Sequence, residues 1–485
     1  MLKKLRKSRA GNPSLGTNTS NADFADDGSI QIADDPFLVD LDLDLDSVKV
    51  IPRQQHCISR KAISSNALKV LYKFDNAGYQ AFLVGGSVRD LLIGNRPKDF
   101  DIATNATPEQ IKQLFRNARI IGRRFKIVHI RFGREVIEVT TFRAHHKPST
   151  NFQERGESRH FKHLDSAHSS SGMILRDNVY GGISEDAARR DFTVNALYYT
   201  IRNFRILDFS SGIEDIQSKL IRALGDPDTR FREDPVRMLR AIRFSAKLGF
   251  KIEESTRKPI DKLSPLLESI APARLFDEAL KLLSTGYGCK TFQLIQEFKI
   301  GQYLFPGILK CLNKEDRAET RLVNLALRNT DLRIAEGKSV TPAFLFAALL
   351  WPVLNAELKL CYGDMHYGIL ELQLVANRVI GAQLQYTAIP KRFTIATREI
   401  WELQQRLQRR NKRSILSAYQ HPRFRAAYDF LLLREEAGEE LNDLGKWWTN
   451  FQISDTNQQT EMINVTGGGK RRSRRSRRKP AGGNR

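Results

Sequence analysis

Cysteine is scarce in this chain. The 485 residues hold four (Cys57, Cys289, Cys311 and Cys361), scattered and with no Cys-X-X-Cys pair. That excludes a disulfide scaffold and a cysteine zinc module, and it points to reduced thiols in a cytoplasmic setting. No apolar run approaches the roughly 20 residues of a membrane span. The longest, Phe344–Leu354, is short and carries Pro352, so no integral membrane segment is expected. The basic opening Met1–Lys7 has no apolar core after it and does not read as a secretory signal. Acidic residues fall well short of basic ones, 55 against 78, for a net charge of +23. Such a balance points to a polyanionic partner, nucleic acid first and an anionic membrane surface second. A mean hydropathy of −0.42 fits a soluble globular protein, and the length fits about three domains.

Charge is unevenly placed. Lys470–Arg485 holds nine basic residues and no acidic one, and without it the chain still carries +14, the +23 less these nine. Glycines before and after this tail and its lack of apolar residues predict disorder, with the arginines available to phosphates. Five of the first ten residues are basic, and Asp23–Asp46 then carries nine aspartates and no base. The alternating Asp40–Asp46 reads either as an edge strand or as an unstructured acidic linker. Ordered structure is expected from about Ser64, with a helix over Asn66–Asn76 and a buried strand over Gln80–Val84. Strands and helices mix as far as Ile206, and from Glu233 onward helical periodicity dominates.

The most informative segment is Phe82-Leu-Val-Gly-Gly-Ser-Val-Arg-Asp-Leu-Leu-Ile-Gly94, followed by Lys98-Asp-Phe-Asp-Ile-Ala-Thr104. A strand runs into two glycines and a helix opens at Ser87, where Ser87 and Asp90 resemble a capping box. Glycines there let a ligand such as a triphosphate approach the backbone closely. Asp99 and Asp101, two apart in a strand, point to one side while Phe100 faces the core. Glu138, within the β-branched run Val136–Phe142, offers a third carboxylate. Three carboxylates converging on one spot repel unless a cation lies between them, and oxygen ligands of this kind suit Mg²⁺.

The run Gly85–Asp90 and Asp99–Thr104 resembles the head of the class II nucleotidyltransferases, the bacterial poly(A) polymerases and tRNA CCA-adding enzymes. The resemblance implies an α+β protein: a polymerase-β-like head of mixed sheet and helices, then an all-helical neck and body, with disordered termini. It implies Asp99, Asp101 and Glu138 as catalytic metal ligands for Mg²⁺ (or Mn²⁺), with ATP as substrate. Gly85, Gly86 and Arg89 fall in the nucleotide-binding set. Arg189-Arg-Asp-Phe-Thr-Val-Asn-Ala-Leu197 resembles the second family motif, implying that Arg190 and Asp191 contact the ribose and phosphates. Asn195, four residues after Asp191, is read as sharing its helix face. Leu207–Ile216 resembles the third, a hinge in which Asp208 braces the turn. Arg230–Arg240 resembles the fourth, with a helix start at Asp234-Pro235 and with Glu233, Asp234 and Arg237 as the base-selecting site. Expected divisions are a disordered segment 1–60, head 61–206, neck 207–272, RNA-binding body 273–448 and basic tail 449–485.

Ile120-Ile-Gly-Arg-Arg-Phe-Lys-Ile-Val-His129 resembles the signature of the poly(A)-adding branch, with Arg123 and Arg124 near the triphosphate or base. The reading is therefore a template-independent poly(A) polymerase acting on RNA 3′ ends (mRNA and small RNAs), a monomer that promotes RNA decay alongside RNA-decay proteins. The alternatives are a tRNA CCA-adding enzyme and a non-catalytic RNA-binding adaptor. The basic cluster Arg406–Arg413, near Trp401 and Tyr419, offers RNA contacts, although solvated helix faces and core aromatics are the better account of each taken alone. Five histidines (His145, His146, His160, His163 and His168) lie in a polar stretch without cysteine, read as a loop rather than a zinc site.

A flexible basic tail supplies affinity rather than specificity. Deleting Lys470–Arg485 is expected to leave turnover on saturating RNA nearly unchanged. The slope of log K against log salt should fall by roughly 3 units if half the charges engage single-stranded RNA. Binding curves at several salt concentrations check this, and an unchanged slope would mean that the tail does not touch RNA.

Overall fold

The computed structural model describes residues 41 and 48–467 apart from 123–125, 145–165, 169–173, 178, 313–316 and 364. The head is built on β1 (Lys49–Ile51), β2 (Ala81–Val84), β3 (Asp101–Thr104), β4 (Ala118–Ile121), β5 (Ile127–Phe132) and β6 (Glu135–Thr141). A separate hairpin, β7 (Ser166–His168) with β8 (Ile174–Asp177), precedes β9 (Leu197–Tyr199) and β10 (Ile206–Asp208). The eight-stranded sheet has the order β1-β10-β9-β2-β3-β6-β5-β4, and only the β3–β6 pair within it is parallel. Elements thus begin at Lys49, earlier than expected, because Lys49–Ile51 finds its partner in Ile206–Asp208. Most of the acidic alternation after Asp40 lies outside the described residues.

Helices α1 (Ser65–Asn76), α2 (Gly86–Leu92), α3 (Pro108–Leu114) and α4 (Ile183–Ala188) accompany the sheet. The Ser64 hydroxyl caps α1 by accepting from Asn66 N and Ala67 N, and Thr107 with Gln110 forms a capping box on α3. One apolar cluster packs Val70, Phe74 and Ile111 against Leu83, Ile102, Val128 and Val139. A second joins Phe82, Val84, Ala103, Tyr198 and Leu207 to Ile183 and Ala187. These residues alternate along their strands, so each cluster belongs to one face of the sheet.

Beyond β10 come α5 (Gly212–Gln217), β11 (Leu220–Ile221), α6 (Pro227–Glu233), α7 (Val236–Leu248), β12 (Lys251–Ile252) and α8 (Glu254–Leu263). The neck is not entirely helical: β11 and β12 pair in parallel. Among the described residues eleven further α-helices follow: α9 (Pro272–Leu283), α10 (Gly288–Glu297), α11 (Pro306–Cys311), α12 (Ala318–Ala335), α13 (Pro342–Tyr362), α14 (Ile369–Leu384), α15 (Lys391–Gln408), α16 (Lys412–Tyr419), α17 (Phe424–Glu436), α18 (Leu444–Ile453) and α19 (Thr456–Gly467). One core runs unbroken from Phe231 to Ala437, so neck and body share their apolar interior. Helix α13 is long and apolar enough to cross a membrane, unlike the shorter run expected. Its residues Leu345, Phe346, Leu349 and Leu354 are buried in that core, and Trp401 donates from Nε1 to Ala347 O at 3.0 Å. Trp401 is fully buried, so this ring packs and does not stack on RNA.

The turn after β10 carries the head into the neck. Asp208 accepts from Ser210 N (3.0 Å), Gly212 N (2.9 Å) and Ile213 N (2.9 Å), the bracing role expected of it. A Cβ on Gly212 would lie 2.4 Å from Thr193 O. Gly212→Ala is therefore expected to lower stability by roughly 1–3 kcal/mol, because backbone must move to admit the methyl. A melting temperature equal to that of the parent protein would show that the contact can relax.

Candidate active site

Asp101 of β3 lies beside Glu138 of β6 in the parallel register, and Glu138 is opposite His129 of β5. Because Ile102, Val128, Ile130, Ile137 and Val139 occupy the α1–α3 face, alternation places Asp101, Glu138 and His129 on the other. Burial first, and then the charge of Glu138, raise the Asp101 carboxyl to about 6; Asp99 adds to the rise and Arg190 opposes it. His129 Nε2 lies 3.5 Å from Glu138 Oε2.

Asp99 departs from expectation. Strand β3 begins at Asp101, and Asp99 sits exposed in the bend before it, with Phe100 buried between them. Among the described residues no group of three or more His, Cys, Asp or Glu side chains is close enough to hold a metal ion. The expected three-carboxylate cage is thus not preformed. Mg²⁺ takes one or two carboxylates and completes its shell from water and phosphate oxygens. The Asp101–Glu138 pair, only partly compensated by Arg190 and with Asp99 adjoining, fits such an ion.

Gly85 connects β2 to α2 with a φ of +67°, and a Cβ there would lie 3.0 Å from Arg190 Nη1. Glycine is required twice, for the backbone angle and for the guanidinium alongside it. No side chain caps α2: Ser87 donates from Oγ to Val84 O at 2.9 Å, and Asp90 is turned to Arg89. The expected capping box is therefore absent. Arg89 is buried (2% exposed), with Nε and Nη2 donating to Asp90 Oδ1 (2.9 and 2.6 Å) and Nη1 to Asn195 Oδ1 (2.6 Å). Asn195 then donates from Nδ2 to Asp191 Oδ1 at 2.9 Å. With all three guanidinium nitrogens and both ends of the amide engaged inside the protein, Arg89 and Asn195 act as struts.

Asp191 and Asn195 meet as expected, but not on one helix face. Asp191 follows α4, and Asn195 ends the short 3₁₀ turn Thr193–Asn195. Burial alone would raise the Asp191 carboxyl. Arg240, whose Nε donates at 2.7 Å, the Asn195 amide and Arg237 together outweigh it and hold the group at about 2. Arg190 is fixed by Nε donating to the Tyr198 hydroxyl (2.7 Å) and Nη2 to Asp186 Oδ2 (3.2 Å). Burial lowers the Arg190 pKa, but Tyr198 and Asp186 more than offset it and keep the cation beside Asp101.

In the fourth motif, Glu233 ends α6 and Arg237 lies in the first turn of α7, so two helices share the pair. The break falls at Asp234-Pro235, and Asp234 Oδ2 accepts from Arg274 Nη2 at 2.8 Å. Glu233 Oε2 accepts from Arg230 Nη1 (2.9 Å) and Arg237 Nη1 (3.0 Å). Arg237 Nη1 and Nη2 also reach Arg230 O (3.1 Å) and Arg189 O (3.3 Å), while Arg230 Nη2 donates to Arg190 O (2.6 Å). Burial, then the charge of Arg143 and Arg237, push Arg189 down to about 10; burial and Arg237 do the same to Arg230. This crowd of guanidiniums around Glu233 is suited to a polyanion. Sequence reasoning left Arg143, Arg189 and Arg230 without a role, since nothing local shows that they converge. Arg123, Arg124 and four of the five histidines lie outside the described residues; His168 is in β7.

Comparison with known proteins places this geometry. Residues 81–222 match the family described as the poly A polymerase head domain, and 249–312 match the probable RNA and SrmB-binding site of polymerase A. Residues 369–480 match the arginine-rich C-terminus of polymerase A. Over 423 residues the chain is 49% identical to poly(A) polymerase I of Escherichia coli O6:H1, covering 86% of this chain and 88% of that one. The chain belongs to the poly(A) polymerase I family. The family relative from Haemophilus influenzae is 44% identical over 85% of this chain and 90% of its own. The CCA-adding enzyme of Lactobacillus helveticus is 35% identical over 49% of this chain and 54% of its own. In fold, the chain is similar to the Thermotoga maritima CCA-adding enzyme complexed with tRNA, with a TM-score of 0.53 at 18% identity, covering 85% of this chain and 95% of that one. The α+β nucleotidyltransferase architecture expected from the sequence is thus present.

Asp101 binds its proton more tightly folded than unfolded. Its contribution to metal-free stability therefore falls as pH rises from the ordinary 3.8 to about 6. Asp101→Asn is expected to raise stability at pH 8 in a chelator by on the order of 2 kcal/mol. Turnover should fall by orders of magnitude in the same variant. Thermal denaturation and nucleotide incorporation measure the two effects, and unaltered incorporation would remove Asp101 from the site.

Proposed function

We propose that this chain is a template-independent poly(A) polymerase that transfers AMP from ATP to RNA 3′ ends and releases pyrophosphate. The observation that carries the reading is similarity to poly(A) polymerase I along 86% of the chain, against 49% for the CCA-adding enzyme of Lactobacillus helveticus. Asp99, Asp101 and Glu138 would hold Mg²⁺ or Mn²⁺, which lowers the pKa of an attacking hydroxyl and neutralises a leaving pyrophosphate. The glycine turn at Gly85-Gly86 admits the triphosphate close to the backbone. Arg190 faces the carboxylates from the second motif, and Arg189 and Arg230 add positive charge nearby.

Glu233 and Arg237 pair with each other in the structure. A base edge offering one donor and one acceptor can replace that pairing without leaving either charge bare, which is how the two, with Asp234, select a base. The body and basic tail hold RNA by diffuse phosphate contacts. The protein works as a cytoplasmic monomer on mRNA and small RNAs and promotes their decay, alongside RNA-decay proteins.

The test supplies a generic RNA, Mg²⁺ and each nucleoside triphosphate separately. ATP alone should give long tails. In a second reaction with CTP and ATP together, addition of just two cytidines and one adenosine to tRNA lacking its end would overturn the reading. Arg237→Ala is expected to reduce discrimination between ATP and CTP by about tenfold, more than it reduces triphosphate affinity. Equal losses for both nucleotides would reduce Arg237 to a structural role.

A further inference from the structure

Besides the Arg237 bond to Arg189 O, two pairs with carboxylates of the head anchor helix α7. Near its N-terminus Arg240 donates to Asp191, as described. Near its C-terminus Lys247 Nζ donates to Asp90 Oδ2 at 3.0 Å. Asp90 Oδ1 accepts from Arg89, Arg89 donates to Asn195, and Asn195 donates to Asp191. The bonds therefore close into a loop that leaves α7 at Lys247, runs through α2 just after the glycine turn, and re-enters α7 at Arg240. Phe244 fills its middle, with the Arg89 and Arg240 guanidiniums 5.0 and 5.3 Å from its ring centre. Seven residues separate the anchors, a lever of about 10 Å along the helix. The bonds of Arg237 and Arg240 hold the N-terminal half of α7, and the Lys247 pair ties down its C-terminal end.

We propose that the Lys247–Asp90 pair sets the direction of α7 relative to the glycine turn, and thereby which base is accepted once the triphosphate is seated. Lys247 and Asp90 are positioning residues, since the contacts assigned to the nucleotide lie elsewhere. The proposal rests on the adenylyl-transfer reading and adds that selectivity depends on a lysine outside the base-contacting motif. If the triphosphate end and the base end of the site are held in one loop, loosening the loop misplaces the base without disturbing the carboxylates.

Lys247 is partly exposed, and Lys247→Met keeps its apolar stem while removing the charge. KM for ATP should rise about fivefold and incorporation of CTP relative to ATP about fivefold, with kcat held within about twofold. Lys247→Arg should restore both. Asp90→Asn also removes the charge paired with Arg89, so it should shift the ATP/CTP ratio at least as far, and adding Lys247→Met to it should shift the ratio no further. Titration calorimetry with ATP and CTP reads the same ratio without catalysis, so a parent protein that failed to transfer AMP would refute the functional reading separately. Lys247→Gln serves if the methionine variant does not fold. A lowered melting temperature with KM and the ATP/CTP ratio unchanged would overturn the proposal, as would additive effects in the double variant.

Discussion

Asp191 is the junction on which the site depends. Its carboxylate takes the Phe192 backbone N–H and the Asn195 amide from the head, and Arg240 from the neck helix. Buried carboxylates usually favour the neutral acid; this one stays ionised because donors surround it. Removing any one of these partners leaves a buried charge short of compensation, a larger penalty than the net gain from making the bond. The head and neck are consequently coupled through an anion that neither could keep ionised alone. Arg89 and Phe192 extend the junction: one reaches under Phe244, and the other packs edge-on against it at 5.8 Å.

The carboxylates of the sheet obey the opposite logic. Asp101 and Glu138 face each other with little to separate their charges, an arrangement unfavourable in isolation. Strand register enforces it, because Ile102 and Val139 beside them are fully buried and fix which side each strand presents. Stability supplied by the apolar face is in effect used to hold two repelling groups together. The adjoining Arg190, immobilised by Asp186 and Tyr198, limits the repulsion without removing it.

Much of this was legible in the sequence where the signal is local. The glycine turn, the strand before it and the helix start after Asp234-Pro235 all follow from local sequence. What escaped depends on distant partners. Strand β1 is three residues whose pairing comes from β10, more than 150 positions later, so no pattern in Lys49–Ile51 announces it. The spacing of Asp191 and Asn195 suggested a helix, but Phe192 is drawn into a buried cluster and bridges to Ala223, which bends the segment into a 3₁₀ turn. The burial of Arg89 under Phe244 of the neck helix is set by a partner that its position within α2 does not reveal. The crowding of Arg143, Arg189 and Arg230 arises from three separate segments and has no signature in any of them.

The shared interior of neck and body has a consequence for synthesis of the chain. Helix α13 carries the apolar residues that the body is built around, yet Trp401 and Phe430, which close over Ala347 and Trp351, come later in the chain. Between completion of α13 and the appearance of Phe430, roughly 70 residues must be translated, on the order of 4–14 s at ordinary elongation rates. Throughout that interval the nascent chain displays a segment as apolar as a bilayer-spanning helix, to lipid and chaperone alike.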